Sequence, residues 1–224
     1  MPRRTTLLIK DEVYHIFNRG IAKMPIFSTP QTYARLIELI EYYQFANTPV
    51  SYSHFKQLPY EQRDDILQYL KQENDIHIEI IAFCLMDNHF HFLVKQISSN
   101  GIAIWISNIQ NAYARYFNKT QARSGPLFQP QFKAVRVLSD EQLLHVSRYI
   151  HLNPSTGYLV TIDALADYHW SSISCYTEKS NKFSFVHPNL ILGLMGKKTS
   201  YLDFVLDQAD YQRELAKIKH LILE

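Results

Sequence analysis

Two runs rich in β-branched and aromatic residues, HIEIIAFCLM (77–86) and HFHFLVKQ (89–96), are separated only by a turn at Met86-Asp87-Asn88. Strands this close in sequence can pair only antiparallel, because a parallel pair needs a crossover of about a dozen residues or more. The chain is therefore committed to a β-hairpin at its centre. Side chains alternate along a strand, so His89 and His91 share one face while Phe90 and Phe92 share the other. The phenylalanines suit a face covered by helices. The two imidazoles stand about 6–7 Å apart at the backbone. They read either as convergent ligands of a divalent metal or as a pair on the wet face of a half-buried sheet.

Other elements flank the hairpin in a regular order. YHIFNRG (14–20) alternates and ends in Arg-Gly, a strand running into a turn. Between Thr29 and Ala46, Tyr33, Leu36, Ile37, Ile40 and Tyr43 recur at helical spacing, behind a Thr29 N-cap and a proline at the first helical position. Residues 47–75 are polar, with a helical pattern around YEQRDDILQYLKQ, and read as an insertion. A third helix runs from Gly101 to Lys119, and FKAVRVL (132–138) reads as a strand. Ser139 and Gln142 form a capping box for a helix that reaches Asn153, with Pro154 expected to stop it. The order β-α-β-β-α-β-α predicts an α+β fold of the ferredoxin or RRM type: an antiparallel sheet with helices on one face. It spans residues 1–160 and carries the 47–75 insertion. Residues 161–224 read as an accessory, mostly helical C-terminal region, including YLDFVLDQADYQRELAKIKHLIL (201–223).

Composition excludes more than it assigns. Of 224 residues, 46% are hydrophobic, enough for a sizeable core. The net charge is only +2, so any basic surface must be local. Two cysteines make no disulfide framework, and the chain reads as a reduced, intracellular protein. The opening MPRRTTLLIKDEVYH has too short an apolar run for a signal peptide, and its Arg3-Arg4 pair reads first as a solvated tail and only second as a phosphate-binding arm. No apolar run approaches the roughly 20 residues that span a bilayer, so no membrane partner is expected.

The helix ending near Asn153 adds two chemically useful groups. Tyr149 and Asn153 are spaced i, i+4 and share a helical face. Asn153 presents a carbonyl oxygen that a hard cation accepts, and Tyr149 a phenol that becomes a covalent nucleophile once deprotonated. Taken alone, in a chain of 15 tyrosines, Tyr149 reads first as a core aromatic on an amphipathic helix. Tyr113 and Tyr116 are rival nucleophiles on an aromatic helical stripe that packing explains fully.

Four separated motifs speak together. His-Phe-His after an apolar strand resembles the histidine-hydrophobic-histidine (HUH) signature of single-strand endonucleases. AFCLMDNHFHFLV (82–94), AYARYFNKTQARSGPLFQPQFKAV (112–135), RYIHLNPSTGYLV (148–160) and HWSSISCY (169–176) look, in order and spacing, like the IS200-like transposase domain, and within it like the REP-associated tyrosine transposases. YHIFNRG (14–20) fits as well. The resemblance covers residues 12–176 outside the insertion.

The resemblance implies a function and a set of roles. The histidine pair falls on His89 and His91, and the single catalytic tyrosine on Tyr149. Asn153 stands where IS200-like enzymes often carry a glutamine as third metal ligand. The implied reaction is cleavage and rejoining of single-stranded DNA through a 5′-phosphotyrosine link, with Mg²⁺ or Mn²⁺ as cofactor. The DNA partner is expected to carry a hairpin. Arg19, Arg115, Arg123, Lys133, Arg136 and Arg148 are the candidate DNA contacts. His145 and His151 flank the tyrosine, and neither is assignable as its base. The implied location is cytoplasmic and nucleoid-associated. A homodimer with a shared site and a site built within one chain both fit the family. Two departures stand out: Asp87 replaces a frequent proline, and Phe128 and Gln131 in GPLFQPQF replace a frequent tryptophan and arginine.

Two other functions compete. A ferredoxin-like sheet binds nucleic acid without cutting it in RNA-recognition folds, so a catalytically inactive, domesticated binding module is the alternative. Such a module has no need of His89, His91, Tyr149 and Asn153 together. A metal-dependent hydrolase with a water nucleophile would need further His or Asp ligands, and the sequence offers none at matched strand ends.

Overall fold

The computed structural model describes residues 6–177, 182–196 and 199–209. The Arg3-Arg4 pair and the helical pattern beyond residue 209 lie outside the described residues. Four strands form one antiparallel sheet: β1 (Val13–Arg19), β2 (Ile78–Leu85), β3 (His89–Gln96) and β4 (Lys133–Arg136), in the spatial order β2-β3-β1-β4. The helices in chain order are α1 (Pro30–Tyr43), α2 (Tyr52–Phe55), α3 (Tyr60–Glu73), α4 (Gly101–Thr120), α5 (Asp140–Thr156), α6 (Asn189–Met195) and α7 (Tyr201–Leu206). The expected ferredoxin-like order and antiparallel sheet are both present.

Alternation divides the sheet into two faces. Tyr14 and Ile16 of β1 and Phe90 and Phe92 of β3 are fully buried beneath α1 and α4. Trp105 of α4 packs edge-on against Phe92, centroids 5.0 Å apart, and its Nε1–H donates to Ile40 O of α1 at 3.4 Å. Burying each such side chain contributes about 1.5–3 kcal/mol. Gly101 opens α4 where its backbone meets the β2 start; a Cβ there would lie 2.1 Å from His77 O.

The opposite face carries His15, Phe17 and Arg19 of β1 against His89 and His91 of β3. The register pairs Phe17 with His91 and Arg19 with His89. α1 and α4 thus share one face as expected, while α5 crosses the other over β2 and β3. Its Tyr149 ring meets His91 at 5.6 Å and His15 at 5.9 Å.

α5 also differs from expectation at its end. Pro154 does not stop the helix, which runs to Thr156. The proline still forfeits its bond to Ile150 O and crowds that turn, but only two helical residues follow it. Gly157 N–H donates to Asn153 O at 2.8 Å and Leu159 N–H to Pro154 O at 2.9 Å, closing the terminus. Burial of Ile150, Leu152, Asn153 and Pro154 holds this turn helical. The β4 strand is shorter than the 132–138 run suggests.

The 47–75 segment contains α2 and α3, tied to α1 by the aromatic cluster Tyr42, Tyr52 and Phe55. The region after residue 160 shares the domain core. It covers the β2 edge, which would otherwise present unpaired backbone groups. Leu85 N–H donates to Trp170 O at 2.9 Å, His187 N–H donates to Ile80 O at 2.8 Å, and Ser172 Oγ bonds both Phe83 N and O.

Candidate active site

The hairpin tip is the local anchor of the site. Met86 N–H donates to His89 O at 2.8 Å and closes the turn. The loop after β1 grips it from outside: Gly20 N–H donates to Asn88 O, and Ile26 and Phe27 N–H both donate to Asp87 O, each at 2.8 Å. Gly20 is required at this close approach, since a Cβ would stand 2.5 Å from Met24 O. Asp87 lies toward Tyr33 and Tyr168, whose phenol pKa values it helps raise behind the larger effect of burial.

Beside this tip is a cavity of about 270 Å³ lined by Phe17, Asn18, Arg19, His89, His91, Gln129, Lys133 and Tyr149. That volume sits near the lower end of ligand pockets. The rings of His89 and His91 are 5.0 Å apart and nearly perpendicular. Each is anchored through Nδ1: His89 to Asn88 Oδ1 at 2.6 Å, His91 to His15 Nε2 at 2.9 Å. An amide oxygen only accepts, so His89 carries its proton on Nδ1 and keeps Nε2 as a lone-pair nitrogen.

All three imidazoles are held neutral. Burial pushes His15 down to about 4. Burial, then the Arg19 charge, pushes His89 down to about 4. His91 is driven well below the ordinary value by burial first, then by His15, His89 and Arg19. Neutral imidazole is the form that binds metal, so the donor chemistry of His89 and His91 fits a divalent cation. No group of three or more His, Cys, Asp or Glu that could hold a metal occurs among the described residues.

Tyr149 is 38% exposed, whereas Tyr113 is fully buried. Burial raises the Tyr149 pKa; the nearby Asn153 side chain and the Arg19 charge pull it down. Asn153 Nδ2 also donates to Tyr149 O at 2.8 Å. Asn153 thus stands behind the tyrosine and is not among the residues lining the histidine pocket. The Tyr113 hydroxyl donates to Ile26 O in the core, and Tyr116 lies under the Arg35 guanidinium at 4.6 Å. Neither rival tyrosine reaches the pocket.

The candidate cations separate. Arg19 and Lys133 line the pocket, with Lys133 Nζ 6.0 Å from the Phe17 centroid. The other four are elsewhere. Arg136 falls on the opposite face, since it pairs with Tyr14 across β1 and β4, and is ion-paired to Glu12. Arg123 closes its own loop, donating to Asn118 Oδ1 and Pro126 O. Arg115 is exposed on α4, away from the histidine face. Arg148 is buried against α7, 4.4 Å over the Phe204 ring and bonded to Phe204 O and His145 Nδ1. A residue adjacent to Tyr149 in sequence is turned about 100° around the helix, which explains that divergence.

His151 is fully buried between Tyr201 and Ser172, so neither flanking histidine reaches the phenol. Phe128 packs on Phe90 and Tyr113 beneath the sheet. Sequence reasoning missed His15, Phe17 and Gln129. The alternation of YHIFNRG places His15 and Phe17 on Arg19's face, but only the register of β1 against β3 brings that face to His91.

The family model described as "Transposase IS200 like" matches residues 50–153. A solved structure described as the REP associates tyrosine transposase bound to a REP hairpin aligns over 89% of this chain and 94% of its own, with TM-score 0.53 and 14% identity. At that identity the likeness shows the fold. No curated protein matches the chain.

Proposed function

From the match of residues 50–153 to the IS200-like transposase family model, we propose that the protein cuts and rejoins single-stranded DNA through a phosphotyrosine intermediate. The observation that carries this reading is the convergence of His89, His91 and Tyr149 on one cavity within one chain. The structural relative is bound to a REP hairpin, and single-stranded DNA bearing a hairpin is the substrate proposed here.

The Tyr149 oxygen attacks the scissile phosphorus, forming a new P–O bond. The P–O3′ bond breaks, leaving the DNA 5′-phosphate on the tyrosine and a 3′-hydroxyl that takes up a proton. Attack by that hydroxyl, or one from another strand, reverses the step and returns the phenol. Arg19 lowers the cost of ionising Tyr149 and offers a cation to the phosphate. The Asn153 side chain favours the ionised phenol, and its amide N–H caps the Tyr149 backbone carbonyl. Phe17 and Lys133 supply an aromatic surface and a phosphate contact, the usual elements of a single-strand groove. His89 and His91 would hold Mg²⁺ or Mn²⁺, and such an ion supplies Lewis-acid polarisation of a phosphoryl oxygen.

The reading is tested by incubating the protein and Mn²⁺ with single-stranded hairpin oligonucleotides and with the same sequences as full duplexes, then resolving products on a denaturing gel. A covalent adduct with single strands alone is expected. Equal cleavage of the duplexes would refute the substrate assignment.

A further inference from the structure

We propose that His15 is a positioning residue for this site: it anchors His91 through Nδ1, leaving Nε2 bare for the cation, and walls the Tyr149 ring. The inference rests on the metal reading above.

His15 and His91 stack at 5.1 Å with 25° between planes, and their Nε2 and Nδ1 atoms share a hydrogen bond of 2.9 Å. That bond contains one proton. With the proton on His91 Nδ1, the His91 ring presents Nε2 as a lone pair, as Asn88 requires of His89. Both histidines of the pair are then anchored through the same nitrogen. A partner on the non-ligating nitrogen fixes ring orientation and tautomer at metal sites. His15 is not itself a third ligand beside His91: its Nε2 accepts the His91 bond, so in the neutral ring its Nδ1 carries the proton.

His15 also stands edge-on to Tyr149, centroids 5.9 Å apart at 71°. One imidazole therefore touches both a proposed metal ligand and the proposed nucleophile. Its own strand is pinned on both sides, by β3 and by β4. The ring is thus held by the sheet and not by a loop, the arrangement that gives a site its precision.

Two measurements on the full chain test this. A long-range ¹H–¹⁵N spectrum of the metal-free wild-type protein should find His91 protonated on Nδ1 and bare on Nε2. Mn²⁺ affinity, read by electron paramagnetic resonance, should fall about 10–100-fold in His15→Leu. His15→Gln, which returns a hydrogen-bonding atom near the Nε2 position, should recover most of the loss. Single-strand affinity should be unchanged in both variants. His91→Ala serves as reference and should lose the Mn²⁺ site. If His91→Ala loses the ion while His15→Leu binds it like wild type, or if His91 carries its proton on Nε2, the role of His15 is overturned and the metal reading stands. If His91→Ala binds Mn²⁺ as wild type does, the metal reading itself falls. The wild-type spectrum decides the tautomer even if His15→Leu does not fold.

Discussion

The Tyr149 ring stands edge-on to the His91 ring, with centroids 5.6 Å apart and planes at 89°. One residue comes from helix α5, the other from the central strand β3, and nothing in their sequence separation requires them to meet. A core tyrosine would be sealed, as Tyr113 is, whereas Tyr149 keeps 38% of its surface exposed beside two neutral imidazoles.

Replacing both histidines should separate chemistry from binding. His89→Ala combined with His91→Ala should abolish strand cleavage while single-strand affinity stays close to wild type, because affinity rests mainly on phosphate and stacking contacts. A filter-binding titration run beside a cleavage assay checks it. Persistent cleavage by the double variant would remove the pair from the mechanism.

The candidate cations should divide as the structure divides them. Lys133→Ala and Arg19→Ala should each weaken single-strand binding and reduce the slope of log affinity against log salt by about 0.7 for each phosphate no longer neutralised. Arg136→Ala and Arg123→Ala should leave that slope unchanged, since one is ion-paired to Glu12 across the sheet and the other closes its own loop. Arg148→Ala should lower the melting temperature, because it removes the guanidinium that packs on Phe204 and bonds its carbonyl, and should leave the slope alone. A lower slope in the Arg148 variant would move the DNA path to the other side of α5.

Much of this arrangement is legible without the structure. The short turn at Asp87-Asn88 forces the hairpin, and alternation puts His89 and His91 on one face. The i, i+4 spacing joins Asn153 to Tyr149. What the sequence does not carry is register between distant strands. His15 and Phe17 become site residues only because β1 pairs with β3 so that Phe17 faces His91. Gln129 arrives through a loop whose N–H bonds Arg19 O, a contact with no sequence signature. Arg148 and His151 turn away from the Tyr149 pocket because proximity along a helix is not proximity in space. Pro154 is tolerated because it falls in a final turn held by buried neighbours.

Acid should destabilise the fold in a defined window. His15 and His89 titrate at about 4 and His151 at about 3 in the native state, all lowered by burial. Unfolded histidines titrate near 6.5. Between about 6.5 and 4 the unfolded chain therefore binds more protons, so stability falls as pH falls, by up to about 1.4 kcal/mol per histidine per pH unit. Thermal unfolding followed by circular dichroism should give a clearly lower midpoint at pH 5 than at pH 7.5. Identical midpoints would show that these histidines are not sequestered in the native state.

Tyr113→Phe should act on stability alone. It removes the hydroxyl that donates to the buried Ile26 carbonyl, and an acceptor left unsatisfied costs about 1–3 kcal/mol. Chemical denaturation should register that loss while the variant still forms the DNA adduct. A variant of wild-type stability that forms no adduct would assign Tyr113 the chemistry.

The proposed reaction depends on Tyr149 as its nucleophile. The direct measurement is mass spectrometry of proteolysed protein trapped with a single-stranded hairpin oligonucleotide and Mn²⁺. The account predicts a DNA 5′-phosphate on the peptide containing Arg148-Tyr149-Ile150, and no adduct from a folded, DNA-binding Tyr149→Phe variant. A modified peptide from residues 112–118, or an adduct that survives Tyr149→Phe, would contradict it.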